Sequence, residues 1–279
     1  MKRLGLVVLS VSILLITAVV HSGCEQSEPD FENRTEDTLS FAGKQWEIKI
    51  TNGLQGPGPN YFSGHPNDVW VDNEGFLHLT VSKRSGEWKC TEVVCKENTG
   101  YGTYVFTIEG DPVNIDEQIV LGLFTWDNNT FQEEANSEVD IEFAKWQEAD
   151  EGYTLQYGVQ PIAFGPYNEE RVYKPAVDSL QWIGISTHAF TWTDTLITWE
   201  SWPGAEYGNG EPTASWTFDL NNPAKRKFEG PNTSDPIIIP APGETTNARM
   251  NLWLVNGPAG PTNEAEHEII IRDYQYIPL

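Results

Sequence analysis

Three carboxylates occupy alternate positions in residues 137–143, Ser-Glu-Val-Asp-Ile-Glu-Phe, where Glu138, Asp140 and Glu142 interleave with Val139, Ile141 and Phe143. A period of two is that of a β-strand, so the acids share one face and the apolar residues the other. Like charges along one face repel, and an ordinary solvated face dilutes its acids with Lys, Thr and Ser. Tolerance of that repulsion points to chemistry. Glu138 and Glu142 are four residues apart, which sets their Cα atoms about 13 Å apart along a strand. If each side chain leans about 4 Å toward the other, the carboxyl groups close to about 5–6 Å. That separation suits a nucleophile and an acid/base flanking a glycosidic bond, and is short for a pair that must admit a water molecule. Asp140, between them, can orient one Glu by a hydrogen bond. The shared negative field raises the pKa of another, which keeps a proton available at neutral pH. Spacing alone leaves a calcium site or a plain acidic surface as alternatives.

The elements that must position these acids are short alternating runs: 69–72, 76–82, 103–110, 119–126, 154–161, 188–194, 195–202, 248–255 and 268–277. Turn signals such as Gly56-Pro57-Gly58-Pro59, Asp72-Asn73-Glu74-Gly75 and Asp127-Asn128-Asn129 separate them. No stretch beyond residue 25 keeps a helical apolar period over three turns. Strands without helices bury their sheets against one another, so an all-β sandwich of two antiparallel sheets is expected. The formal charge of −24 removes nucleic acid from the partners, since a phosphate-neutralising surface needs a basic stripe. Eleven Trp suit both core packing and stacking on a planar polar ligand such as a sugar, so their number decides nothing by itself.

Residues 138–143, EVDIEF, resemble the E-x-D-x-E signature of glycoside hydrolase family 16, in the form without a bulge residue that bacterial lichenases and plant xyloglucan-modifying enzymes carry. KENTGYGTYVFTIEG (96–110) resembles the family's YGYGLYEVSMKP-like strand, and LFTW (123–126) the strand that follows it. HAFTWTDTLITWESWPG (188–204) resembles the F-H-T-Y-x-x-x-W segment with its W-Y-V-D-G hairpin, and RMNLWLVNGPAG (249–260) the M-N-L-W strand. The resemblance spans most of residues 45–276, in order. It implies a concave β-jelly roll with a polysaccharide cleft across one sheet, and a retaining, endo-acting hydrolase of β-linked glucan, mixed-linkage or 1,3-linked. Glu138 matches the nucleophile, Glu142 the general acid/base and Asp140 the assisting carboxylate.

Substrate contacts transfer from the same resemblance. Glu92 matches the Glu of a C-A-E-Y-R pattern whose Arg is Val94 here, so one donor is missing. Asn251 and Trp253 match the Asn and Trp of M-N-L-W, and Trp126 stands where lichenases carry Tyr. Asn60 resembles a loop Asn near the distal subsites, although a turn residue beside two prolines explains it equally. Gln156 and Gln160 share a face of the strand expected beside the acids, as substrate contacts or as a polar outer face. Asn136-Ser137 replaces a frequent Trp-Asp pair, and Cys90 lacks its lichenase partner near residue 65. The motif does not separate hydrolysis from transglycosylation on the same adduct. A non-catalytic glycan-binding lipoprotein and a structural envelope protein are the non-enzymatic alternatives.

Residues 1–23 have two basic residues, an apolar run and small residues, the plan of a signal peptide. Ser22-Gly23-Cys24 resembles a bacterial lipoprotein box, with His21 in place of the usual Leu. A lipidated Cys24 and an acidic tether over 24–40 would then hold a single domain over 41–279 at the envelope, periplasmic or cell-surface, with the lipid as its only membrane contact. A monomer is expected. Cys90 and Cys95 are five apart, about 16 Å along a strand, so two unpaired thiols are expected. No cysteine or histidine spacing matches a metal site, and the Asp that binds structural calcium in some relatives does not align in 268–277, so no metal or cofactor is expected.

Overall fold

The computed structural model describes residues 37–130, 135–149, 152–160, 162, 171–219, 224–225, 236–237 and 239–279. The expected leader over 1–23, the lipidation site Cys24 and the tether as far as residue 36 lie outside the described residues. Strands β1 (Thr38–Phe41), β2 (Lys44–Ile48), β3 (Val69–Val71), β4 (Leu77–Arg84), β5 (Glu87–Lys89) and β6 (Thr91–Cys95) open the chain. They are followed by β7 (Gly102–Gly110), β8 (Ile119–Trp126), β9 (Val139–Ala144), β10 (Leu155–Val159), β11 (Val172–Tyr173) and β12 (Gly184–Trp192). The last six are β13 (Leu196–Pro203), β14 (Ala214–Asp219), β15 (Ala224–Lys225), β16 (Pro236–Ile237), β17 (Asn247–Leu254) and β18 (His267–Pro278). Among the described residues the only helical pieces are short 3₁₀ turns.

One antiparallel sheet has the order β1-β2-β6-β17-β8-β9-β10-β11. The other has the order β14-β13-β12-β7-β18-β4-β3, with β5 paired to β4. The core lies between them. Phe143 on β9 meets His188 on β12 edge to face, Tyr157 on β10 stacks with Trp199 on β13, and Trp46 on β2 meets Tyr274 on β18 edge to face. Val139, Ile141 and Phe143 are fully buried in this layer. Burying each contributes about 2 kcal/mol, so the three together force the alternate acids to the opposite face of the sheet. His188 bonds Ser186 and Ser201, and burial pushes its pKa down to about 3, which keeps it neutral in the core.

Two boundaries differ from the sequence reading. Among the described residues the first strand starts at Thr38, inside the expected tether, because Leu39 and Phe41 are apolar enough to be buried as β1 pairs with β2. The strand expected from residue 137 starts at Val139, since Ala135, Asn136 and Ser137 all have left-handed backbones, with φ of 47°, 64° and 52°. Cys90 and Cys95 are buried free thiols, as expected.

Candidate active site

Glu138 stands at the exit of that left-handed turn, a conformation that costs non-glycine residues free energy unless neighbours enforce it. The enforcement is visible. Asn136 donates its side-chain amide to the Asp127 carbonyl at 3.0 Å, and the Asp127 backbone N–H donates to the Asn136 carbonyl at 2.6 Å. Ser137 Oγ donates to the Ala241 carbonyl at 2.7 Å. The Thr125 hydroxyl donates to the Ser137 carbonyl at 2.8 Å and accepts from the Val139 N–H at 3.2 Å. From the opposite sheet, the Trp199 indole N–H reaches the Asp140 carbonyl at 2.9 Å. The backbone carrying the acids is thus fixed at its N-terminal end and from beneath.

Strand register builds the rest of the face. Gln156, Glu142, Gly122, Asn251 and Glu92 fall on one line across β10, β9, β8, β17 and β6. Gly158, Asp140, Phe124, Arg249 and Val94 form the next line on the same strands. Glycines beside Glu142 and Asp140 let neighbouring side chains lie flat against the sheet: a Cβ at Gly158 would stand 2.8 Å from Ile162 Cδ1 and 3.3 Å from Asp140 Oδ2. A Cβ at Gly122 would lie 2.5 Å from Asn251 Oδ1, so glycine is what lets the Asn251 amide lie over this strand.

Glu138 and Glu142 are partly exposed, whereas Asp140 between them is 3% exposed. Burial, repulsion from Glu142, and Glu92 push the Glu138 carboxyl above its ordinary range, and Arg249 opposes them. Burial and the charges of Glu138 and Glu142 push Asp140 up as well, against a long hydrogen bond of 3.4 Å from Gln160. Burial pushes Glu142 up to about 7, while the Gln156 hydrogen bond pulls it down. Three acids raised in one field titrate as a set, each disfavouring ionisation of the others.

The expected ligand contacts divide into several kinds. Gln156 is spent inside the protein: its Nε2 donates to Glu142 Oε2 at 2.6 Å, and its Oε1 accepts from the Trp146 indole at 3.0 Å. Trp146, which the sequence reading missed, begins this chain from the turn after β9 and has no strand period to reveal it. Gln160 Oε1 is held by the Ile162 N–H at 2.7 Å. Glu92 is 1% exposed and lies between Lys49 Nζ at 2.8 Å and Arg249 Nη1 at 3.5 Å. Asn251 Nδ2 reaches the same carboxylate at 3.5 Å, and its buried Oδ1 has no protein partner. Trp126 is partly exposed, with its indole N–H on Asn128 Oδ1 at 2.8 Å. Trp253 is 8% exposed and packs edge to face on Trp146, so little of its ring is left for stacking.

Asn60 is a correction. It is 1% exposed, its Nδ2 donates to the Pro57 and Leu254 carbonyls at 2.7 Å each, and its Oδ1 accepts from Cys90 Sγ at 3.2 Å. These partners use the amide to fasten the Gly-Pro loop and leave no group for a sugar. Among the described residues no group of three His, Cys, Asp or Glu is arranged to hold a metal ion.

No family model matches this chain, and no curated protein matches it at a significant level. Solved structures do. A Bacillus licheniformis β-glucanase shares 16% identity at a TM-score of 0.56, covering 89% of this chain and 96% of its own. A laminarinase from Flavobacterium sp. UMI-01 shares 15% at 0.57, covering 84% and 93%. A glycoside hydrolase family 16 endo-glucanase from Bacteroides ovatus shares 14% at 0.55, covering 89% and 98%. At these identities the likeness establishes the fold, the concave jelly-roll sandwich of that family's structures.

Proposed function

We propose that the protein is a retaining endo-glycosidase of family 16 type acting on a β-glucan, with Glu138 as nucleophile and Glu142 as general acid/base. One observation carries the reading: three raised carboxyl groups stand at and just before β9, on one polar face of the sheet, and burial pushes the one bonded to Gln156 up to about 7. A carboxylic acid poised there holds its proton at neutral pH and can still release it, as a general acid must. In the first step Glu142 gives its proton to the glycosidic oxygen as that C–O bond breaks, and a Glu138 oxygen bonds to the anomeric carbon. In the second, the Glu142 carboxylate takes a proton from water, whose oxygen displaces Glu138. Asp140, the most buried of the three, lies between them, where burial and the two Glu charges disfavour its ionisation. Water in the second step gives hydrolysis, which we assign over transfer to a second sugar.

The names of the structural neighbours, β-glucanase, laminarinase and endo-glucanase, support β-glucans as the substrate class. The breadth of the polar face, from Gln156 across to Glu92, supports binding within a chain rather than at its end. The same reading includes export and lipid anchoring through Cys24 in a bacterial envelope, as a monomer. A panel of mixed-linkage glucan, β-1,3-glucan and galactans, read by reducing-end release and product mass, tests it. The expected result is oligosaccharides from a β-glucan, lost in Glu138→Gln. Binding without cleavage, or products longer than the starting chains, contradicts it.

A further inference from the structure

The turn after β9 holds a side chain in a place that its residue type does not favour. The Glu148 N–H donates to the Lys145 carbonyl at 2.9 Å, and the two residues enclosed, Trp146 and Gln147, have φ of 52° and 69°. Turns with positive φ at both central residues ordinarily use Gly, Asn or Asp, because a Cβ in the left-handed region costs free energy. Neighbours enforce this one. The Gln147 N–H donates to the Glu117 carbonyl at 2.9 Å, and Gln147 Oε1 accepts from Asn256 Nδ2 at 3.0 Å. Enforced left-handed backbone gathers at functional sites, and here it places the Trp146 indole. Its ring packs edge to face on Trp253, with centroids 5.9 Å apart, and its N–H meets Gln156 Oε1 at 3.0 Å.

An indole N–H can only donate, so the Gln156 atom that faces it must be the amide oxygen. The NH₂ end of the amide is then turned to Glu142, where Nε2 donates to Oε2 at 2.6 Å. Resting on the assignment of Glu142 as general acid/base, we propose that Trp146 is a positioning residue that locks the polarity of the Gln156 amide, so that Glu142 always meets a donor and never an acceptor. Without the indole, a flipped amide would offer Oε1 to the O–H of protonated Glu142, and the acid would hold its proton more tightly. With it, the flip sets an NH₂ group against an indole N–H, two donors with no acceptor between them. The lock therefore favours release of the proton to the leaving sugar.

The charged groups around Glu142 are Glu138 and Asp140 before it, Lys145 and Glu148 of the turn, and Lys174, which follows β11 one strand beyond Gln156. Along its own line across the sheet the neighbours are neutral, Gln156 on β10, Gly122 on β8 and Asn251 on β17, as far as Glu92 on β6. Trp146→Phe keeps an aromatic ring against Trp253 and changes none of these charges.

The test follows the Glu142 carboxyl carbon by ¹³C NMR during a pH titration of the full chain, in wild type, Trp146→Phe, Gln156→Leu and the double variant. Trp146→Phe should raise the Glu142 midpoint by about half a pH unit, less than Gln156→Leu does. In the Gln156→Leu background the same change should move it by less than about 0.2 unit, since no amide remains to be locked. With a β-glucan substrate, the alkaline limb of kcat should move upward by the same interval. In wild type the Trp146 indole N–H resonance should shift with pH at the Glu142 midpoint, a reading that needs no variant to fold. An unmoved Glu142 midpoint in a folded Trp146→Phe overturns the proposal, whatever happens to thermal stability. So does a shift that adds in full to that of Gln156→Leu, or an indole resonance indifferent to the Glu142 midpoint. Failure of wild type to cut any β-glucan would instead strike at the proposed activity, on which the carboxyl titration does not depend.

Discussion

Gln156→Leu offers a direct probe of how Glu142 keeps a usable proton. The variant removes the 2.6 Å hydrogen bond to Glu142 Oε2 and leaves the Trp146 indole N–H without its acceptor. A hydrogen bond to a charged group is worth about 1.5–3 kcal/mol, and about 1.36 kcal/mol corresponds to one pKa unit. The amide also binds the protonated acid, more weakly, so the difference between the two forms is about one unit. Burial already pushes Glu142 to about 7 against this bond. Without it the pKa rises, and the alkaline limb of kcat, which reports loss of the acid's proton, should move upward to about pH 8. Loss of orientation should lower the plateau roughly tenfold. The assay is initial rate against pH on a soluble β-glucan, with thermal melting to confirm the fold. A limb that stays put or moves down in a folded variant refutes the reasoning, because the donor would then not be stabilising the carboxylate.

Other expectations follow from the same contacts. Gly122→Ala places a Cβ 2.5 Å from Asn251 Oδ1 beside Glu142, and should lower kcat/KM at least roughly tenfold, read by initial rates. Trp199→Phe leaves the Asp140 carbonyl without its 2.9 Å donor, which should cost about 1–3 kcal/mol and lower Tm by several degrees in calorimetry. Burial works against ionisation of Asp127, yet hydrogen bonds from Asn129, Thr245 and Thr246 hold its carboxyl below the ordinary value. That stabilisation is complete above the unfolded carboxylate range, about pH 4, and is lost as pH falls through the folded value. Thermal midpoints should therefore fall below about pH 4, and less steeply in Asp127→Asn.

The sequence made the acids legible because alternation needs only one strand, and Val139, Ile141 and Phe143 declare the buried side. The long strands were legible for the same reason. The 38–41 strand was not, since four residues beside an acidic tract carry too little period. What joins one strand to another was hidden. Gln156 looked like a sugar contact until register set it opposite Glu142. Val94 looked like a lost donor until register set Arg249 beside it. Asn60 read equally as a distal-subsite residue or a turn residue beside two prolines, and only the fold brings the Leu254 carbonyl, from a strand far along the chain, to it. Trp146 lies in a left-handed turn, where no periodicity marks function.

The central claim is that Glu138 forms a covalent bond with the sugar. Incubation with an activated 2-deoxy-2-fluoro β-glucoside or oligoglucoside slows both steps of double displacement but spares the first through its good leaving group, so the adduct accumulates. Intact-mass analysis followed by peptic mapping should find one glycosyl unit on the peptide containing Glu138, none in Glu138→Gln, and loss of the adduct as activity returns. An unmodified protein that nonetheless hydrolyses β-glucan, or an adduct on a peptide without Glu138, would contradict the account.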